Sequence, residues 1–177
     1  MNKIEKLIKE MCPNGIEYKK IKDVVLKNSF KQVDAKTLAL LNENKGDVKL
    51  LPSSQNYDWF CSIQNADDTY LNNGEVITLG RARYPNIKYW KGYFVSSNNV
   101  TITSGNTSVL LNKFLYYFLI MHSQEFYVES STYPKFDSNI FDDFTIPIPP
   151  LKIQNEIVKI LDNFTELEAE LEAELEA

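Results

Sequence analysis

The sequence predicts an α+β fold, a mixed α/β domain over residues 1–150 followed by one long helix over residues 151–177. Three observations carry that expectation. Short apolar runs rich in β-branched residues, Glu75 to Leu79, Tyr93 to Val95 and Val100 to Thr103, lie between turn-prone stretches and read as strands. Residues 109–128, VLLNKFLYYFLIMHSQEFYV, are apolar enough for a buried helix. Finally, Ile153, Ile157, Ile160, Phe164, Leu167 and Leu171 recur at spacings of 4, 3, 4, 3 and 4, a coiled-coil seam that Leu175 continues.

The remaining elements follow in chain order. Ile4, Leu7, Ile8 and Met11 share one helical face, and Cys12-Pro13-Asn14-Gly15 stops that helix. Glu17 to Leu26 reads as a short strand or strand–helix junction. Residues 31–49 are polar and rich in Asn and Lys, with a turn at Asn44-Lys45-Gly46. Leu50-Leu51-Pro52 leads into a loop of hydrogen-bonding side chains, Ser53-Ser54-Gln55-Asn56. Asn72-Asn73-Gly74 signals a tight turn, because Asn and Gly tolerate positive φ. GRARYPN, residues 80–86, turns between the first two strands, and residues 129–139 form a polar loop. FTIPIPP, residues 144–150, is extended, since each proline pushes its predecessor out of the helical region. The final helix closes in the repeat LEAE LEAE LEA, made of strong helix formers. Its apolar stripe calls for a partner helix.

Charge is unevenly spread. The net charge is −5, but residues 166–177 hold six glutamates and no cation. Without them 19 cations face 18 acids. No acidic residue lies between Glu75 and Glu125, and the chain's only arginines, Arg81 and Arg83, sit in that interval with Lys88, Lys91 and Lys113. Such a cationic zone in an acidic protein is the footprint of a polyanion site. Arginine grips guanine O6 and N7 with two parallel hydrogen bonds, Asn does the same for adenine, and Lys and Tyr suit phosphate oxygens. The candidate DNA-binding residues are therefore Arg81, Arg83, Tyr84, Asn86, Lys88, Tyr89 and Lys91. Ser53, Ser54 and Gln55 in one polar loop and Thr132, Tyr133 and Lys135 in another are weaker candidates.

Catalytic chemistry finds little support. The sequence has no Asn-Pro-Pro-aromatic motif, no Gly-rich nucleotide fingerprint and no phosphate-binding P-loop. One histidine, His122, cannot build a Cys/His zinc site, and its place in an apolar run gives it a packing role. The acid pairs Asp67-Asp68 and Asp142-Asp143 read as caps or solvated turns rather than a nuclease metal site. Neither cofactor nor metal is expected. No apolar run reaches membrane-spanning length, the N-terminus is charged throughout, and Cys12 and Cys61 read as free thiols, so a cytoplasmic location is expected.

Several segments resemble the specificity subunits of type I restriction-modification systems. IPIPPLKIQNEIVKIL, residues 146–161, is similar to the stretch that closes a target recognition domain there, and MCPNGIEYKKI, residues 11–21, to the usual opening phrase. Residues 72–102 fit the family's central hairpin region and residues 131–150 its final loop. The terminal LEAE repeats resemble the spacer repeats between two recognition domains. The resemblance implies a non-catalytic subunit in which two recognition domains, joined by two long helices, each read half of a bipartite target. It also implies assembly with methyltransferase and restriction subunits.

This sequence has one domain and one helix, which fits the family's half-length form, where two copies replace one chain. Its seam of Ile153, Ile157, Ile160, Phe164, Leu167, Leu171 and Leu175 is then a dimerisation surface. An antiparallel homodimer is expected, because it sets the acidic end beside Lys152 and Lys159 of the other copy. The competing readings are a protein- or ligand-binding module tethered by a coiled coil, and a small stand-alone nuclease.

Overall fold

The computed structural model describes every residue except Asn28, Ala82, Tyr84 and Ala177. Helix α1 (Lys3–Met11) opens on a reciprocal cap, in which the Asn2 side chain accepts from the Glu5 amide and the Glu5 carboxylate accepts from the Asn2 amide. Gly15 then turns the chain with φ of 92°. The strand–helix junction follows as β1 (Glu17–Lys20), α2 (Ile21–Val24) and β2 (Val25–Lys27).

A seven-stranded mixed sheet forms the centre. It is built from β2, β3 (Gln32–Val33), β4 (Val48–Leu51), β5 (Phe60–Cys61), β6 (Asn72–Gly80), β7 (Ile87–Ser97) and β8 (Asn99–Ser104). Strands run in the order β2-β8-β6-β7-β4-β5, with β3 also pairing β7. β6 lies between β7 and β8, antiparallel to both, while β3 and β4 pair with β7 in parallel.

Three sequence expectations are corrected here. The polar 31–49 stretch contains a helix, α3 (Ala35–Leu41), which Asp34 caps by accepting from the Thr37 amide and which buries Leu38 fully. Asn72-Asn73-Gly74 does not turn but opens β6. The Asn72 side chain accepts from the Lys31 amide and donates to the Lys31 and Tyr70 carbonyls, so it ties down a distant segment instead of folding back on its own backbone. Gly74 meets Gly92 across the ladder, both at positive φ. The helix expected over 109–128 is shorter, α4 (Asn112–Met121), followed by a single tight turn (Ser123–Glu125) and β9 (Tyr127–Val128). His122 caps α4, its ring 4.5 Å from Phe118 and 5.2 Å from Phe144, and Phe126 beyond the turn is fully buried in the core.

The 129–139 loop carries β10 (Lys135–Phe136), paired with β9, and leads into α5 (Ser138–Asp143). The proline-rich stretch is extended as expected, forming β11 (Thr145–Ile148) against β1. The main core packs Ile77, Leu79, Ile87, Val100 and Ile102 of one sheet face against Phe114, Leu115 and Leu119 of α4, with Phe126, Phe141 and Ile146. Each such side chain contributes about 1.5–3 kcal/mol on burial.

α6 (Leu151–Glu176) has 26 residues and runs about 39 Å. Its first turns belong to the domain: Ile153 is fully buried and Ile157 partly so. Assigning Ile153 to a partner-facing seam is therefore corrected, because its apolar surface is already covered by the chain's own core. Further along, Ile160 is 40% exposed, Phe164 61%, Leu167 54%, Leu171 60% and Leu175 87%, so the uncovered stripe starts at Ile160. No helix among the described residues is long and apolar enough to cross a membrane.

Candidate nucleic-acid interface

The loop between β6 and β7 stands at one end of the sheet, closed by a hydrogen bond from the Gly80 amide to the Asn86 carbonyl. Gly80 is required there, because a Cβ would lie 2.6 Å from the Ser53 carbonyl oxygen. Two other loops converge on this turn. From one side, the Arg83 amide donates to the Pro134 carbonyl at 2.8 Å and the Phe136 amide to the Arg81 carbonyl at 3.1 Å. From the other side comes the 52–57 loop, whose carbonyls accept from Asn86, Lys88 and Lys49.

The result is a cavity of about 580 Å³ lined by Ser53, Ser54, Gln55, Arg81, Arg83, Asn86 and Asn98. A second cleft of about 520 Å³ lies on the far side of Arg83 and includes Thr132, Tyr133 and Glu129. Arg83 adopts φ of 74°, and its guanidinium carbon lies 5.8 Å from the Tyr133 ring centre, as does the Lys135 ammonium nitrogen. Arg81 is exposed and makes one long bond, 3.4 Å, to the Asn99 carbonyl. Both arginines thus stand at an open surface, and among the described residues no carboxylate lines the larger cavity.

The structure brings together Arg81, Arg83, Ser53, Ser54 and Gln55, with Thr132, Tyr133 and Lys135 adjoining. Four other candidates are placed differently. Asn86 is 4% exposed and donates one amide hydrogen to the Ser53 carbonyl at 2.8 Å, which fixes it in the cavity wall as a support for the 52–57 loop. Lys88 is also 4% exposed, its ammonium donating to the Pro52 and Ser54 carbonyls. Burial and the like charge of Lys49 lower its pKa to about 8. Lys88 therefore works beneath the surface, not at a phosphate. Tyr89 projects to the opposite sheet face, where its hydroxyl donates to Glu75 at 2.5 Å; burial and that carboxylate raise its pKa. Lys91 is exposed but sits opposite Glu75, well down the strand from the turn. Tyr84 lies outside the described residues.

One lining residue was missed. Asn98, at φ of 55°, makes the turn between β7 and β8 and faces the cavity. Its signal was present as Ser-Asn-Asn between two apolar runs.

The acid pairs do not gather into a metal site. Asp67 accepts from the Thr69 amide, Asp142 pairs with Lys27 at 2.6 Å, and Asp143 with Lys22 and Lys20 at 2.8 and 2.9 Å. Among the described residues no three potential ligands cluster.

The opposite end of the sheet roots α6. Gln154 is fully buried, accepts from the Leu111 amide and donates to the Val109 and Pro149 carbonyls. Eight residues on, Asp162 accepts from Lys113 and Tyr117. β8 spans the distance between the two ends, with Asn99 beside the turn and Ser104 bonded to Asn112 of α4.

Fold and site together set an open surface with two exposed arginines at one end of the sheet and the root of a long helix at the other. The chain belongs to the type I restriction modification DNA specificity domain family, whose model matches residues 13–177. It is 34% identical over 114 residues to a type I restriction enzyme specificity subunit of Haemophilus influenzae, covering 62% of this chain and 29% of that one. The crystal structure of the type I S subunit from M. genitalium superposes with a TM-score of 0.65 at 15% identity, over 90% of this chain and 41% of that chain. A chain of a type I system solved for its complex assembly and conformational transition gives 0.59 at 17% identity, over 90% and 40%. The sequence thus spans less than half of each relative, and the structural likeness concerns the fold.

Proposed function

We propose that residues 1–150 form a DNA target recognition domain that reads one half of a bipartite site, and that residues 151–177 form the helix that spaces and pairs it. The observation that carries this reading is the convergence of three loops on Arg81 and Arg83, at the end of the sheet opposite the root of α6. The arginines read base edges, and the hydroxyl and amide side chains of the flanking loops position the backbone.

The chain itself is non-catalytic. It supplies specificity to methyltransferase and restriction subunits, and a cytoplasmic location follows from that role. The exposed stripe from Ile160 to Leu175 packs against a second copy in antiparallel fashion. That arrangement throws identical recognition domains to opposite ends, so the target is an inverted repeat.

Selection of bound sequences from a random duplex pool, by the chain with its methyltransferase partner, tests the reading. A two-part inverted motif with an unread spacer is the expected outcome. Each neutralised phosphate adds about 0.9 to the log–log salt slope. Recovery of no motif, or methylation or cleavage by the purified chain alone, overturns it.

A further inference from the structure

The 51–57 segment holds its shape by an unusual means. Its carbonyls are engaged by side chains from the strands beneath and from the β6–β7 turn: Leu51 by Asn99, Pro52 and Ser54 by Lys88, Ser53 by Asn86 of the turn, and Tyr57 by Lys49. One donor, the Lys88 ammonium, takes two of them from alternate residues, which curls the loop around it.

Among the described residues Lys88 has no carboxylate partner. The groups around it are the Tyr57 ring, 5.1 Å from its nitrogen, and Lys49, a like charge that lies over Phe60 and Trp90 and feels Asp58. A buried ammonium without a counter-ion is costly, and its strand neighbour Trp90 shows that apolar packing is available on this face. Stability alone gives no reason to keep a lysine here; the loop above it does.

We infer that Lys88 is a positioning residue for recognition, holding the loop that carries Ser53, Ser54 and Gln55 as a fixed wall of the cavity beside Arg81 and Arg83. The inference rests on the DNA reading only for what the wall is used for; the holding itself is a property of the free chain.

Two measurements test it separately. In the full chain without DNA, backbone amide order parameters of Ser53, Ser54 and Gln55 should sit near the rigid value, about 0.85, and fall below about 0.6 in Lys88→Met. Lys88→Arg, which keeps charge and donors, should restore them. The carbonyl carbon shifts of Pro52 and Ser54 should titrate near pH 8 in the wild type and stay flat in Lys88→Arg.

With the methyltransferase partner and duplex pools, Lys88→Met should lose about tenfold discrimination at one base position. Its affinity for scrambled DNA and its salt slope should be unchanged, which a general loss of fold would not produce. If Lys88→Met does not fold, the wild-type titration and the Lys88→Arg comparison decide. A loop that stays rigid in Lys88→Met, or Pro52 and Ser54 carbonyl shifts that do not follow the titration of the Lys88 ammonium itself, overturns the inference. A loop that loosens in a chain whose wild type selects no sequence refutes the DNA reading and leaves the clamp standing.

Discussion

The two ends of the central sheet spend their polar groups in opposite ways. At the root of α6 the polar side chains are all engaged within the fold: Tyr89 and Asn112 donate to Glu75, Gln154 joins three backbone groups, and Lys113 and Tyr117 share Asp162. At the tip the interior side chains hold loop backbones, while Arg81 and Arg83 stand exposed with few bonds of their own. A closed network makes a rigid joint, and an open one leaves donors for a ligand. The same sheet thus supports a stalk whose direction is fixed and a surface whose side chains are unspent.

If that contrast is right, damage at the root should fall on stability. Gln154→Ala leaves the Leu111 amide and the Val109 and Pro149 carbonyls without their shared partner in a buried site. The expected cost is about 3 kcal/mol, since each unsatisfied buried group costs roughly 1–3 kcal/mol and relaxation recovers part of it. Urea unfolding checks this, and a loss under about 1 kcal/mol would show that the joint is not rigid.

Damage at the tip should fall on binding instead. Arg81→Ala or Arg83→Ala should weaken specific DNA binding by about 1–3 kcal/mol and relax one base position. The unfolding midpoint should hardly move, because exposed substitutions usually stay within about 0.5 kcal/mol. An unchanged affinity with both arginines removed would erase the contrast from the tip side.

How far the contrast was legible in the sequence depends on the range of the interactions involved. Arg81 and Arg83 stood out because the charge gap around them is a local property of the chain. The α6 stripe stood out because helical neighbours are three and four residues apart. Lys88 and Asn86 carried the right chemistry for a contact but point inward, and the loop that covers them lies over 30 residues away in sequence. Asn72-Asn73-Gly74 has strong turn propensity, yet the Lys31 backbone captures the Asn72 side chain and the ladder to β7 overrides the turn. The Ile153 end of the seam was unreadable for the same reason: a heptad pattern does not say whether its partner is another helix or the chain's own core.

The outer half of α6 belongs to neither end and gives a smaller, separable effect. Leu167→Lys with Leu171→Lys places two charges on the exposed stripe, where the two leucines are 54% and 60% exposed. The unfolding free energy of the domain should change by less than about 0.5 kcal/mol, whereas the sedimenting species should shift from dimer to monomer at tens of micromolar. An unfolding midpoint that dropped with the dimer would mean that the domain depends on its partner. A chain that is already monomeric would remove the pairing step.

The smallest expected effect lies away from both ends, at the exposed Asp143, which receives Lys22 and Lys20 and so ties α5 to the β1–α2 junction. Hydrogen bonds and charge from Lys22 and Lys20 hold its pKa at about 2, below the usual 3.8. A carboxylate depressed in the folded state contributes stability that is fully present above its unfolded pKa. That contribution drains away as the pH falls through the folded value, so the window runs from about pH 4 down to about pH 2. Full exposure lets water and salt screen the pair, which keeps the effect small. Asp143→Asn should therefore match the wild type in DNA binding at neutral pH and differ only slightly in stability there. The gap between the two should narrow as acid protonates the wild-type carboxylate, and it should also shrink in high salt. An Asp143→Asn chain as sensitive at neutral pH as Gln154→Ala would place a second rigid joint at this surface. The division of the sheet into one closed end and one open end would then be too simple.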